Sequence, residues 1–144
     1  MKLPGRLEFA LIKLGHEVRL ISPRFVKRDI NPAREADARS AGAIICTSAQ
    51  ELATHCDIVI TLMVDDKQTD EALFGAQGAA AALRPGSVVI MSSTVAPDYA
   101  MALAARLAQQ GVSMLDAPVS GGPAKALSGE MSMMAAGSAA AFAK

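Results

Sequence analysis

The sequence predicts an α/β chain in which βαβ units build a parallel sheet, and three observations predict it. Short apolar runs at 43–46, 58–63, 87–91 and 112–115 alternate with helix-length stretches near 48–54, 67–83 and 97–110. Gly42, Gly86 and Gly111 each stand just before one of these runs, at the helix-end position where a left-handed residue is wanted. The chain is 51% hydrophobic but only 3% aromatic, so its core is built from Ala, Val, Ile, Leu and Met, a composition suited to helices packed on a parallel sheet. At 144 residues it is long enough for one domain with its own core.

Taken in order, residues 4–14 set apolar side chains at Leu7, Phe9, Ala10, Leu11, Ile12 and Leu14 among charged ones, which predicts a short helix with Pro4 near its start and Gly15 as its stop. EVRLIS (17–22) alternates polar and apolar residues as a strand does, and Pro23 ends it. After a basic loop, Asn31-Pro32 opens a helix running to about Ala41, with Pro32 at its first position. Asp65 and Asp66 open the helix predicted to reach Leu83, complementing its dipole. Thr94, ahead of Val95, Ala96 and Pro97, is placed to cap the next helix, whose first amides would then face a ligand. Capping alone is the other reading of Ser93 and Thr94.

No apolar run approaches the roughly 18 residues of a membrane span, and MKLPGRLEF lacks the apolar core of a signal peptide. A cytoplasmic location is the default expectation. Cys46 and Cys56 lie in or beside apolar segments without CxxC spacing, and only His16 and His55 could join them, so buried thiols are expected rather than a zinc site. His16 and His55 read as surface or capping residues. Net charge is zero, but residues 1–40 hold nine Lys/Arg against five acids and the remainder five against nine. The basic charges are scattered, with Phe9 and Phe25 the only aromatics among them, which fits a solvated face better than a nucleic-acid surface.

The stretch 116–137, DAPVSGGPAKALSGEMSMMAAG, carries the chemistry. It leaves an apolar strand, turns at Pro118, and offers a hydroxyl and two bare amides in succession at Ser120, Gly121 and Gly122. Glycine admits close backbone approach, and successive amides in a turn form an anion-binding concavity. The same run also reads as a tight turn before a hairpin. Its residue order, DAPVSGGP followed by Ala126, Gly129 and a Met-rich strand ending at Gly137, resembles the substrate-binding signature of the β-hydroxyacid dehydrogenases, the family of 3-hydroxyisobutyrate, tartronate semialdehyde and threonate dehydrogenases. The resemblance continues through SSTVAP (92–97) and DIVITLMVDD (57–66) back to about Arg28. It implies a Rossmann-like, doubly wound NAD(P)-binding domain. Ser120, Gly121 and Gly122 would then take the carboxylate of a small hydroxy acid. Ser93 and Thr94 would lie near the nicotinamide, and Leu62, Met63 and Val64 would line the adenosine side of the cofactor.

The family pattern breaks at both ends. A dinucleotide fold of this kind carries a first strand and a glycine-rich turn whose amides seat the pyrophosphate, yet this sequence has no GxGxxG, and Gly5 and Gly15 follow no apolar strand. The sheet is therefore expected to lack its first strand, with EVRLIS free to slide into the gap. GHEVRLISPRFVK (15–27) resembles a segment of DEDD-type insertion-sequence transposases, which divides the chain at Lys27–Arg28 into an atypical segment (1–27) and a partial NAD(P)-binding domain (28–144). Asp29 stands where a carboxylate would hydrogen-bond an adenosine ribose, which favours NAD over NADP, although Arg28 and Arg34 could tolerate a phosphate. In the family the catalytic lysine and a nearby asparagine lie on a helix of a further helical domain, and Lys125 and Lys144 do not match that position. No catalytic residue is assigned here, and cofactor binding without turnover is expected. The alternatives are a non-enzymatic gene remnant and, more distantly, a nucleic-acid-binding fragment. Oligomeric state is left open.

Overall fold

The computed structural model describes residues 19–21 and 32–144. The helix expected at 4–14, Asp29 and the junction at Lys27–Arg28 lie outside them. The chain divides into two compact units, Met1–Ser48 with Ser120–Ser132, and Ala49–Val119 with Met133–Lys144.

In the first unit β1 (Arg19–Ile21) pairs in parallel with β2 (Ile44–Cys46), Arg19 opposite Ile44 and Ile21 opposite Cys46. The connection between them includes α1 (Pro32–Ser40), which begins on Pro32 as expected and has Arg39 in its last turn. Gly42 follows with φ 97°, in the left-handed region that lets the chain leave the helix. β1 thus joins β2 and is bonded to no other strand among the described residues. The expectation that EVRLIS slides into a gap in the larger sheet is not met among the described residues, where its strand pairs with β2 alone.

The second unit holds a four-stranded sheet in the order β3 (Ile58–Thr61), β4 (Val88–Met91), β5 (Ser113–Asp116), β8 (Ala136–Gly137). The first three run parallel and level: Ile58 opposite Val88 opposite Ser113, and Thr61 opposite Met91 opposite Asp116. Side chains alternate across the faces. Val88, Ile90 and Leu115 point to one side, where α6 (Ala139–Phe142) sets Ala141 against them. Val89 and Met91 point to the other and are fully buried.

α2 (Ala49–Thr54) leads into β3, α3 (Asp66–Phe74) joins β3 to β4, and α4 (Pro97–Ala108) joins β4 to β5. These last two crossovers step in the same direction, and right-handed connections place both helices on one face of the sheet. α4 starts on Pro97, carries Asp98 in its first turn and Arg106 in its last, and buries Ala100, Leu103 and Leu107 at helical spacing. α3 is shorter than the sequence suggests. It ends at Phe74, and a separate 3-10 turn covers Ala79–Ala81. Gly75 and Gly78 interrupt an otherwise helix-favouring stretch. The Gly75 amide closes the helix on the Glu71 carbonyl at 3.0 Å, and the Gly78 amide turns back to Gly75 O at 2.9 Å. Gly86 and Gly111 have the expected positive φ, 86° and 71°. Gly111 closes α4, whereas Gly86 lies inside a turn closed by the Ser87 amide on the Arg84 carbonyl rather than at a helix end.

The Met-rich tail departs from the expected single strand. β6 (Val119–Ser120) and β7 (Ser132–Met133) pair as a two-stranded sheet, bracketing α5 (Gly122–Ser128), and β8 returns antiparallel onto β5 with Gly137 opposite Leu115. That approach leaves no room for a side chain. A Cβ on Gly137 would sit 2.6 Å from Leu115 Cδ2 and 2.7 Å from the Met114 carbonyl. Gly137→Ala is accordingly expected to cost about 1–3 kcal/mol, read as a lower urea midpoint. An unchanged midpoint would show that β8 is not held this close to β5.

Candidate functional site

The carboxyl ends of β3, β4 and β5 are level at Thr61, Met91 and Asp116, and in open α/β sheets ligands bind outside that edge. Two loops leave it side by side. The Ser92 amide donates to the Thr61 carbonyl at 2.7 Å, extending the ladder by one bond beyond β4. One residue further on, the Met63 amide donates to Ser93 Oγ at 2.8 Å. Ser93, only 2% exposed, therefore serves the neighbouring loop with its side chain.

The far end of the first loop is held by Asp65. Its carboxylate accepts from the Gln68 amide at 2.8 Å as the N-cap of α3, and its carbonyl accepts from the fully buried Thr69 hydroxyl at 2.9 Å. The role expected of Asp65 is met. Between these anchors Leu62 is 56% and Val64 77% exposed, so two apolar side chains project from a tethered loop, with Met63 half-buried between them.

Thr94 is exposed and does not cap α4. The N-cap is Ala96, which makes no side-chain hydrogen bond. The reason lies in the register: Val95 and Ala96 separate Thr94 from the helix start at Pro97, so its side chain is out of reach of the first-turn amides. Those amides are left without a side-chain acceptor, the condition under which a helix start attracts an anion. Three buried hydroxyls have no hydrogen-bond partner among the described residues, Thr61 Oγ1 and Ser92 Oγ at these strand ends and Ser87 Oγ at the opposite end of β4. The sequence signal for Thr61 is a single polar residue inside the apolar run 58–63.

Tyr99 joins the starts of the two crossover helices. Its hydroxyl donates to the Asp66 carbonyl at 3.1 Å and approaches Asp70 Oδ1 at 3.3 Å. On the same two helices Arg106 lies 3.6 Å from Asp70 and 3.5 Å above the Phe74 ring. Burial pushes the Tyr99 phenol up to about 12, with the charge of Asp70 and its hydrogen bond acting in the same direction.

The Ser120–Gly122 turn belongs to the other unit. Ser120 ends β6, Gly121 (φ 132°) is the N-cap of α5, and Gly122 (φ 64°) is the first residue of that helix. The run is thus a helix entry, and the reading as a tight hairpin turn is replaced. Ser120 and Gly122 are exposed. A Cβ on Gly121 would lie 2.8 Å from that of Lys125, so backbone and helix approach closely only because the side chain is missing. The segment 116–137 is anchored at both ends on the sheet, Asp116 opposite Ala136. Cys46 is buried and Cys56 half-buried, and His55 is exposed. Among the described residues no three His, Cys, Asp or Glu side chains gather as a metal site, and no helix is long and apolar enough to cross a membrane.

A level parallel sheet with crossover helices and tethered loops at its carboxyl edge is the layout of an open α/β domain that takes ligands at that edge. The chain belongs to the family of the NAD-binding domain of 6-phosphogluconate dehydrogenase, whose family model matches residues 7–144. That span takes in residues 15–27, and the transposase likeness gains no support. Over 114 residues the chain is 54% identical to an L-threonate dehydrogenase of Cupriavidus necator, covering 79% of this chain and 38% of that protein. It superposes on a crystal structure of a 3-hydroxyisobutyrate dehydrogenase from Salmonella typhimurium with a TM-score of 0.75 at 36% identity, covering 89% of this chain and 50% of that one. A Mycobacterium tuberculosis 3-hydroxyisobutyrate dehydrogenase structure with L-serine gives 0.81 at 28% identity, covering 94% and 43%. The chain spans about 38% of the length of the curated relative. It is an NAD(P)-binding domain, similar over most of its length to those of hydroxyacid dehydrogenases.

The single tyrosine, in a chain without tryptophan, makes the α3–α4 junction measurable. A folded pKa raised above the ordinary 10.0 contributes stability that is fully present below about pH 10 and is lost as pH rises through about 12. Phenolate absorbance is expected to titrate near 12, and Asp70→Asn to lower that midpoint. Titration at the ordinary value in the folded chain would show that the junction is not formed.

Proposed function

We propose that this chain is the cofactor-binding part of a dehydrogenase that moves a hydride between a nicotinamide dinucleotide and a small hydroxy acid. The observation that carries the reading is the Met63 amide bound to Ser93 Oγ at 2.8 Å, which joins two loops at the edge where such sheets take nucleotides. Leu62, Met63 and Val64 take the adenosine side of the cofactor, Ser93 and Thr94 belong to its nicotinamide side, and Ser120, Gly121 and Gly122 grip the substrate carboxylate. Asp29 bonds the adenosine ribose and favours NAD over NADP by like-charge exclusion of a 2′-phosphate. Relatives named for L-threonate and 3-hydroxyisobutyrate support the substrate class, since both acids carry the carboxylate that the Ser-Gly-Gly turn suits.

In the oxidising direction the carbinol C–H bond breaks, its hydride reduces the nicotinamide, and the hydroxyl proton leaves to a base. The residues named here bind and orient. None of them is assigned as that base. A cytoplasmic location belongs to the same proposal.

Calorimetric titration should show saturable binding of NADH or NADPH, weakened roughly three- to tenfold by Thr94→Ala, the loss of about one hydrogen bond. No saturation at millimolar cofactor would end this reading and favour a remnant without enzymatic role.

A further inference from the structure

The two serines and the threonine of SSTVAP have different surroundings. Thr94 is exposed, whereas Ser93 is 2% exposed and its Oγ accepts the amide of Met63, 30 residues away. A group so enclosed has little surface to offer a ligand. What it does offer is an acceptor for a loop amide that has left the ladder of its own strand. Along residues 61–65 the chain is fixed at three alternating positions: the Thr61 carbonyl by the Ser92 amide, the Met63 amide by Ser93, and Asp65 by its cap on Gln68 and its bond from Thr69. The residues between the fixed points, Leu62 and Val64, are the ones that project. The shape of the exposed surface is therefore set by the bonds beneath it.

We propose that Ser93 is a positioning residue of the dinucleotide site, acting through Met63. Its hydroxyl holds the loop 62–65 in the cofactor-ready shape before the cofactor arrives, while Thr94 meets the ligand. The inference rests on the functional reading above and adds to it a division of labour within one motif. A loop held ready spares the ligand the cost of ordering it, and affinity falls by the fraction of chains in which the loop has left that shape.

The test combines amide hydrogen exchange at Met63 and Val89 with calorimetric titration of NADH, in the unmodified chain and in Ser93→Ala. In the unmodified chain Met63 is expected to be protected without cofactor. Ser93→Ala is expected to exchange faster at Met63, to leave the sheet amide of Val89 unchanged, and to bind NADH roughly three- to tenfold more weakly. Fast exchange at Met63 in the unmodified free chain, slowing only on NADH addition, would overturn the inference without any variant. So would a Ser93→Ala chain with faster Met63 exchange and unaltered NADH affinity, a result that leaves the functional reading standing. Failure of the unmodified chain to bind either NADH or NADPH would remove both.

Discussion

A single hydrogen bond between neighbouring loops, from the Met63 amide to Ser93 Oγ, organises the candidate site. Parallel strands end with their amides and carbonyls unspent, and the chain beyond each end has to find partners or face solvent. Here the two central loops satisfy each other. The Ser92 amide takes the Thr61 carbonyl, and one step outward a side chain replaces the backbone as acceptor. The exchange moves the anchoring below the surface and leaves Leu62, Val64 and Thr94 outside it.

The sheet supplies the stiffness that this arrangement needs. Val89 and Met91 are completely buried, and the register is level from β3 through β5. The crossover helices are tied to each other as well as to the sheet, Tyr99 on α4 reaching Asp66 and Asp70 on α3. Both loops therefore end in helices whose starting points are mutually fixed. One start is capped by Asp65, and the other, at Ala96, has no side-chain cap and keeps its first amides available. The contrast between the two starts is the electrostatic asymmetry of this edge.

Much of this was legible in the sequence because periodicity and punctuation agree. The apolar runs fell within a residue or two of the strands, and Pro32 and Pro97 marked helix starts. Where the sequence misled, a local rule lost to a competing one. The alanine-rich stretch after Phe74 read as continued helix, yet Gly75 and Gly78 turn the chain before it reaches Ala79. Thr94 looked like a cap by residue type, but the helix starts three residues later on Pro97. The Ser-Gly-Gly run also reads as a tight turn before a hairpin, and it opens a helix instead. The burial difference between Ser93 and Thr94 has no sequence signature.

The account stands on the claim that the loops after β3 and β4 form the nucleotide surface. Its most direct test is to follow backbone amide shifts of the nitrogen-labelled chain as NADH is added. The account predicts saturable shifts concentrated at Leu62, Met63, Val64, Ser93 and Thr94, with the strand interiors of β4 and β5 still. Saturable shifts that leave those five residues unmoved and gather elsewhere on the chain would contradict it.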